Sequence, residues 1–424
     1  MLDLKRIRED PDGVRAALVR RDRALAEVLV EVLHCDEQWR AATSAAESLR
    51  AMQREHSERI AAAKRDGGDV EGELARMKAL SAEVKELAEK ARVAQERLQA
   101  GLSQLPNLPD PSAPAGPEDE VLYEVGEIRA PAFPARDHLE LAGGMIDMDR
   151  AARLSGSRFA YLKGDLVLLE LALVSWALVK LRGHGFEPVI PPVLARERAL
   201  FGTGFLPDTE QQIYRLPEDE LYLTGTSEVA LASLHDGEIL DAERLPLRYA
   251  GFSPCFRREA GAAGKDTRGI FRVHQFDKVE MFSFVVKEES SSEHERILAI
   301  EEEILQQLGV PYRVVNIAVN DLGASAAKKY DCEAWLPNQG RYRELTSCSN
   351  TTDYQARRLD IRVRGADAQS GSRIAVAHTL NGTAVAVGRT IVALLENGQR
   401  EDGSVELPPC LVPHGAPPRL PPAA

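Results

Sequence analysis

One glycine-containing segment near the middle of the chain combines charged side chains with an aromatic ring. Arg257 and Arg272 stand at its two ends, and paired guanidiniums bind phosphate oxygens through bidentate contacts while keeping their charge. Phe276 offers a ring face for stacking a base or an arginine, and Glu259 and Glu280 are acceptors for an amine or amide donor. These residue types predict binding of a phosphate beside a flat or amine-bearing group, whereas the alternative is a solvated hairpin with ordinary cross-strand ion pairs.

Several common catalytic and cofactor motifs are absent from the sequence. It contains no GxxxxGK(S/T) or GxGxxG phosphate loop and no HExxH or GxSxG sequence. Five widely spaced cysteines without a CxxC pair predict reduced thiols in a cytoplasmic protein and no zinc site. The longest apolar stretch, residues 166–181, contains Glu170 and Lys180, so we expect no membrane-spanning segment.

In the first 105 residues, apolar side chains recur at helical spacing in two stretches separated by a turn, which predicts a helical hairpin. Between two apolar stretches, Gly67 can cap the first helix, and the following glycine permits a reversal of the chain. Two such helices form an antiparallel coiled coil with arms roughly 60 Å long. Polar Gln53 and His56 interrupt the apolar seam and predict looser packing in the half of the hairpin near its tip. The helical spacing of apolar residues is by itself equally typical of an oligomerisation or spacer coil. The apolar positions recur at spacings of three and four: Val28, Val32, Cys35, Trp39, Ala42, Ala46 and Leu49, then Leu80, Val84, Leu87, Ala91, Ala94, Leu98 and Leu102.

Composition divides the rest of the chain into three parts. Residues 106–117 contain five prolines and predict a stiff linker. Residues 118–407 have a globular composition in which amphipathic stretches alternate with β-rich runs, which predicts a mainly antiparallel α+β domain. Residues 408–424 contain seven prolines and predict a disordered tail.

The charge of the chain is distributed unevenly between these parts. The net charge of −13 and the pI near 5.4 argue against a broad positive field for nucleic acid. Residues 1–105, however, hold 19 basic and 20 acidic side chains, so the remaining residues carry −12 of that charge. Any contact of the hairpin with RNA is therefore predicted to be local, salt-sensitive and led by shape, and no DNA partner is expected.

The segment around Arg257 and four others resemble the motifs of class II aminoacyl-tRNA synthetases, and those of bacterial-type seryl-tRNA synthetases in particular. Residues 256–276 resemble motif 2, residues 185–192 resemble motif 1 with its dimer-interface proline, and residues 378–390 resemble motif 3. Residues 223–229 and 344–350 are similar to the serine and ATP/Mg²⁺ segments of the family, and the hairpin is similar to its tRNA-binding arm. The resemblance extends over nearly the whole chain.

The resemblance implies a site for ATP. Arg257 would hold the α-phosphate and Arg389, together with Arg272, the γ-phosphate, and Arg257 and Arg389 are the implied catalytic residues. Phe276 would stack on adenine, and Glu259 would accept from its amino group. Glu344 and Ser347 would bind Mg²⁺ through oxygen. The other implied ATP-binding positions are Arg258, Val273, Leu345 and Thr346.

The resemblance also implies a serine pocket and a reaction. Serine would be bound by Thr226, Ser227, Glu228, Glu280 and Thr383. The implied activity is adenylation of L-serine followed by transfer to the 3′ end of tRNA(Ser), with tRNA(Sec) as a further candidate acceptor, by a cytoplasmic homodimer. Two alternatives stay open, namely a paralogue that loads serine onto a non-tRNA carrier and a non-catalytic tRNA-binding protein.

A few positions depart from the pattern of the family. Thr346 stands where serine is usual, Thr351 where cysteine is usual and Ala384 where glycine is common, whereas Thr383 replaces serine but retains the hydroxyl. The amino-acid sequence of the hairpin tip, residues 64–71, is also unusual for the family. These departures fit a second-copy enzyme that resists a serine-analogue inhibitor or serves a dedicated pathway.

Overall fold

A computed structural model describes the chain except at residues 68, 129–131, 208–211, 261–265, 267, 366–373 and 424. Two compact units are distinguished, Leu2–Pro106 and Asn107–Ala424 together with Met1. No helix in the described part of the chain is long and apolar enough to cross a membrane. All five cysteines are free thiols.

The N-terminal unit is helical, and its two long helices pair along the predicted apolar seam. Arg65 ends the first of them, and Gly67 follows with a φ of 71°, the left-handed conformation expected at a helix end, whereas the second tip glycine lies outside the described residues. Beyond Ala46 the seam is no longer fully buried and is joined by polar contacts, such as His56 Nδ1 to Glu73 Oε2 at 2.6 Å. The distal half of the seam is therefore less buried than the proximal half, and its looser packing stays a prediction. The helices are α1 (Leu4–Glu9), α2 (Pro11–Arg21), α3 (Leu25–Arg65) and α4 (Glu71–Gln104).

The second unit is built on an eight-stranded sheet with helices packed against both of its faces. The helices are α5 (His138–Ala142), α6 (Met148–Ser155), α7 (Asp165–Gly183), α8 (Glu197–Thr203), α9 (Glu228–Ala232), α10 (Ser290–Gln307), α11 (Tyr354–Arg358) and α12 (Val387–Gly398). The strands are β1 (Glu120–Val125), β2 (Ile146–Asp147), β3 (Tyr161–Leu162), β4 (Glu187–Val189), β5 (Leu194–Arg196), β6 (Arg215–Leu216), β7 (Leu221–Leu223), β8 (Ile239–Asp241), β9 (Leu247–Phe256), β10 (Gln275–Val285), β11 (Tyr312–Asn316), β12 (Lys328–Leu336), β13 (Arg341–Thr352), β14 (Arg362–Arg364), β15 (Ile374–Val376), β16 (His378–Ala386), β17 (Val405–Glu406) and β18 (Arg419–Leu420).

The large sheet has the order β1-β11-β12-β13-β16-β10-β9-β4, and all its neighbours are antiparallel except β4 and β9. Its two faces differ in chemistry because side chains alternate along each strand. On β10, Val279 and Met281 belong to the apolar core together with α7, α10 and α12, whereas Lys278 and Glu280 line a cleft. The predicted α+β fold with an antiparallel sheet is confirmed.

The C-terminal tail is ordered, so the prediction of disorder is wrong for residues 408–423. Pro409–His414 form a 3₁₀-helix, and β18 pairs with β17. Leu411 and Leu420 are fully buried in the main core. Prolines fix φ in advance and so lower the entropy cost of ordering, and the leucines between them supply the burial that a proline count overlooks.

Candidate active site

A cleft of about 360 Å³ lies on the polar face of the large sheet. Strands β10, β13 and β16 form its floor, and α12, the end of α8 and the segment around Asp321 contribute to its walls. Thirteen of the predicted site residues line it: Thr226, Glu228, Arg257, Glu259, Arg272, Val273, Phe276, Glu280, Glu344, Leu345, Ser347, Thr383 and Arg389.

The structure places three other predicted residues outside the lining of the cleft. Ser227 is buried behind it, with its hydroxyl 3.4 Å from the carbonyl oxygen of Gly251. The side chain of Arg258 is exposed, and the hydroxyl of Thr346 donates at 3.0 Å to Glu301 of α10, on the face of the sheet opposite the cleft. The side chains of these three residues are therefore not brought together with the others.

One half of the cleft is rich in arginine and aromatic side chains. The guanidinium of Arg257 lies 5.3 Å from the ring centroid of Phe276, and its Nε donates to the carbonyl of Gly225 at 3.1 Å. Arg389 lies 4.9 Å from the ring of Phe271, which the sequence did not single out. Cation–π contacts of this kind hold the two guanidiniums in place, and both arginines are among the residues that line the cleft. This half can bind a polyphosphate and a flat base.

A β-bulge brings the two predicted Mg²⁺ ligands to one face. The register between β12 and β13 shifts so that Thr346 faces Cys332 and Glu344 faces Glu333, which leaves Leu345 as an extra residue. Alternation alone would separate Glu344 and Ser347, but the bulge turns both into the cleft. Burial raises the pKa of Glu344, but the charges of Arg389, Lys329 and Arg257 outweigh it and lower the pKa to about 2.

The oxygen ligands fit Mg²⁺ but do not complete its coordination. One carboxylate and one hydroxyl share the cleft face, and no cluster of three His, Cys, Asp or Glu side chains suited to a metal occurs among the described residues. Mg²⁺ characteristically keeps waters and substrate phosphates as its remaining ligands. The donor set therefore suits a metal that arrives with a nucleotide.

The other half of the cleft is a small polar pocket. Glu228 and Glu280 are buried, and Asn381 Nδ2 donates to both carboxylates, at 3.4 and 3.1 Å. The ammonium of Lys278 contacts Glu280 and donates to Thr226 Oγ1 at 2.7 Å. Burial and the charge of Glu280 raise the pKa of Glu228 to about 7, although Gln355 and Lys278 lower it. Two carboxylates beside hydroxyls can bind an ammonium and an alcohol.

Both units match known protein families. The model of the seryl-tRNA synthetase N-terminal domain matches residues 1–109, and that of the tRNA synthetase class II core domain (G, H, P, S and T) matches residues 212–398. The serine–tRNA ligase of Acidothermus cellulolyticus is 53% identical over 417 residues, and that of a Nocardioides species is 50% identical over 420, each match covering 97% of both chains. The chain belongs to the seryl-tRNA synthetase family.

Solved structures of this family have the same fold. The seryl-tRNA synthetase from Pyrococcus horikoshii complexed with ATP is 40% identical, with a TM-score of 0.95 over 100% of both chains. The cytoplasmic serine–tRNA ligase from Naegleria fowleri in complex with AMP is 30% identical, with a TM-score of 0.86 over 99% of both chains. The arm and the class II core therefore occur together in relatives that span the whole length of this chain.

Two departures from the family pattern lie away from the cleft. Ala384 is 1% exposed and belongs to the apolar core. The β10–β16 register pairs Glu280 with Thr383 and Val279 with Val385, so Ala384 is an extra residue in a bulge that turns Thr383 toward Glu280. Thr351 is buried behind the pocket, where its hydroxyl donates to the carbonyl of Thr379 at 2.7 Å. Neither side chain is among those that line the cleft.

Sequence reasoning missed several residues of the synthetase cleft. Lys278 and Asn381 each stand two positions before a predicted ligand on a strand, so alternation was a signal that could have found them. Lys329 also lines the cleft, and its ammonium lies 2.8 Å from Asp331 Oδ1. Gln355 lies behind the pocket and donates to Glu228, which no local pattern indicated.

Proposed function

We propose that the chain activates L-serine with ATP to form seryl-adenylate and then transfers the seryl group to the 3′ end of tRNA(Ser). The observation that carries this proposal is the single cleft, which has arginines and aromatic rings in one half and a two-carboxylate pocket in the other. A nucleotide triphosphate and a small zwitterion can therefore meet in one place.

In the activation step, a carboxylate oxygen of serine attacks the α-phosphorus of ATP and the bond to the bridging oxygen of pyrophosphate breaks. Arg257 is suited to stabilise the charge that develops on the α-phosphate. Arg389 and Arg272 are suited to stabilise the charge on the leaving pyrophosphate. Mg²⁺, when held by Glu344 and Ser347, would neutralise further phosphate charge. The serine carboxylate is already ionised, so positioning and electrostatics suffice and no protein nucleophile is needed.

The polar half of the cleft accounts for the choice of serine. Its carboxylates would hold the ammonium and the hydroxyl, with Thr226 and Thr383 as added hydroxyl partners. Alanine would leave these buried groups without a partner, and such a site discriminates strongly against an analogue that lacks the hydroxyl.

In the transfer step, a terminal hydroxyl of the tRNA attacks the carbonyl carbon of the adenylate and AMP leaves. We assign binding of the tRNA to the arm, residues 1–105, and the chemistry to residues 118–407, with 106–117 as the linker and 408–424 as the C-terminal segment. The arm supports tRNA as the acceptor, because residues 1–109 match the model of the seryl-tRNA synthetase N-terminal domain. A selenocysteine tRNA, a cytoplasmic location and a second-copy resistance role stay predictions.

We also propose that the enzyme is a homodimer. One side of α7 packs into the core, but its other side is apolar and exposed, with Leu168 at 48%, Leu171 at 57% and Val179 at 60%. Ile190, within the motif 1 segment, is 81% exposed. A helix that is apolar all round is normally covered, and a second copy of this chain would cover it.

The test is serine-dependent exchange of pyrophosphate into ATP, measured with several amino acids, followed by charging of tRNA(Ser), tRNA(Sec) and a carrier protein. Exchange with serine only, together with charging of tRNA(Ser), is the expected result. Exchange that is better with threonine or alanine would contradict serine activation. Charging of the carrier alone would favour the paralogue, and tRNA binding without adenylate would favour the non-catalytic alternative. Repeating the exchange with a serine-analogue inhibitor tests the resistance role.

A further inference from the structure

Gln355, on α11, lies behind the pocket and connects four elements of the fold. Its side chain is fully buried and is not part of the lining of the cleft. Nε2 donates to Glu228 Oε1 at 2.7 Å, on α9, and to the carbonyl of Thr203 at 3.2 Å, at the end of α8. Oε1 accepts from the hydroxyl of Thr379 at 2.9 Å, on β16, and lies 3.3 Å from that of Thr351, on β13.

The partners determine which way the amide points. A backbone carbonyl can only accept, so the amide atom that faces Thr203 has to be the nitrogen, and the same nitrogen faces Glu228. The hydroxyl of Thr379 donates to the amide oxygen of Gln355. The hydroxyl of Thr351 donates to the backbone carbonyl of Thr379, at 2.7 Å. A flipped amide would place its oxygen against two acceptors, Thr203 and Glu228, which leaves buried groups unsatisfied.

Glu228 thus has one carboxylate oxygen held from behind the cleft and the other held by a residue that lines it. Gln355 donates to Oε1, and Asn381 lies 3.4 Å from Oε2. We propose that Gln355 is a positioning residue for the amino-acid pocket, and that Thr379 orients its amide so that the carboxylate of Glu228 is aimed at the ammonium of serine. This inference rests on the proposed function, because it takes serine as the ligand of Glu228.

The charges around Glu228 make the contribution of the amide measurable. Glu280 disfavours the ionised form of Glu228, whereas Lys278, Arg257 and the Gln355 amide favour it, and burial raises its pKa to about 7. Removing the amide donor raises that pKa further. The pH below which the KM for serine rises should therefore be higher in a variant without the amide. The KM for ATP, whose binding relies on arginines, should not change.

The main experiment compares Gln355→Met with Gln399→Met in serine-dependent exchange. Gln399 is a matched control, since it is buried, donates to the carbonyl of Glu396 at 2.8 Å, accepts from the amide of Arg136 at 2.9 Å, and is not among the residues that line the cleft. For Gln355→Met we expect the KM for serine to rise roughly tenfold or more with an ATP KM within twofold of wild type, as loss of a hydrogen bond to a charge predicts. For Gln399→Met we expect stability to fall without a selective change in serine KM.

A second pair of variants keeps the test decisive if Gln355→Met does not fold. Thr379→Val is isosteric but removes the donor to the amide oxygen, whereas Thr379→Ser retains it, so serine KM should rise in the first and return toward wild type in the second. An unchanged serine KM and pH profile, or equal rises in serine and ATP KM, would overturn the inference. Failure of wild-type protein to exchange with serine would instead overturn the proposed function.

Discussion

Arg389 and Glu344 form an ion pair within the cleft, with Nη1 3.3 Å from Oε2 and a second contact of 3.1 Å from Nη1 to the carbonyl of Glu344. The residue proposed to hold the γ-phosphate and the residue proposed to hold Mg²⁺ therefore neutralise each other in this structure. Binding of ATP with its metal would exchange that contact, so that the guanidinium meets phosphate and the carboxylate meets the cation. The same two residues would therefore contact each other before the nucleotide binds, and the phosphate and the metal afterwards.

The first prediction concerns the metal. Glu344→Gln removes the charge of the carboxylate but keeps its size, and we expect the Mg²⁺ concentration for half-maximal exchange to rise at least tenfold. A titration of exchange rate against Mg²⁺ measures this. The control is Glu333→Gln, whose carboxylate accepts from Arg313 at 2.6 Å and is not among the residues that line the cleft. Identical Mg²⁺ titrations for both variants would contradict the assignment of Glu344.

The second prediction concerns the α-phosphate. Arg257→Ala removes the donor aimed at the developing charge, and we expect the exchange rate to fall by roughly 10²-fold or more. Arg313→Ala is the matched control, because that guanidinium also lies over an aromatic ring, 4.9 Å from Tyr342, but outside the residues that line the cleft. Light scattering should show an unchanged oligomeric state in both variants. Near-normal exchange by Arg257→Ala would remove this residue from the mechanism.

The sequence predicted which residue types belong to the site better than it predicted which way they point. Thirteen of the predicted residues line one cleft, yet Thr346 faces the opposite side of the sheet because the bulge at Leu345 reverses the alternation that the sequence alone suggests. Gln355 was not found because Glu228, the pocket residue to which it donates, lies 127 positions away in the sequence. The tail was predicted as disordered because proline content is a local property, whereas the burial of Leu411 and Leu420 depends on the whole core.

The third prediction concerns pH. With a pKa of about 7, Glu228 is half protonated near neutrality and becomes neutral as the pH falls. A neutral carboxyl binds an ammonium poorly, so the KM for serine should rise below pH 7, by up to about tenfold for each further pH unit. The ATP KM should change little between pH 6 and 8, because the arginines keep their charge and the pKa of Glu344 is about 2. Parallel pH dependence of both KM values would contradict this role of Glu228.

The fourth prediction concerns association of two copies. Leu171→Glu places a charge on the exposed apolar side of α7, where burial against a partner would be costly. We expect analytical ultracentrifugation to show a monomer at concentrations where the wild type is a dimer. The control is Val30→Glu on the arm, which is similarly exposed at 53%. A wild-type monomer, or a dimer that persists in Leu171→Glu, would place the interface elsewhere or exclude it.

The last prediction separates the two units by function. Arg97 Nη2 lies 2.7 Å from Glu31 Oε1, so α3 and α4 run side by side at this level and a short glycine–asparagine turn can join Leu29 to Glu96 in place of residues 30–95. The shortened chain retains every residue of the cleft, so we expect serine-dependent exchange within about threefold of wild type. Charging of tRNA(Ser) should fall at least about 100-fold, because the surface proposed to bind the tRNA is lost. Measuring both activities on the same preparation provides the internal control, and equal loss of exchange and charging would refute the separation of roles.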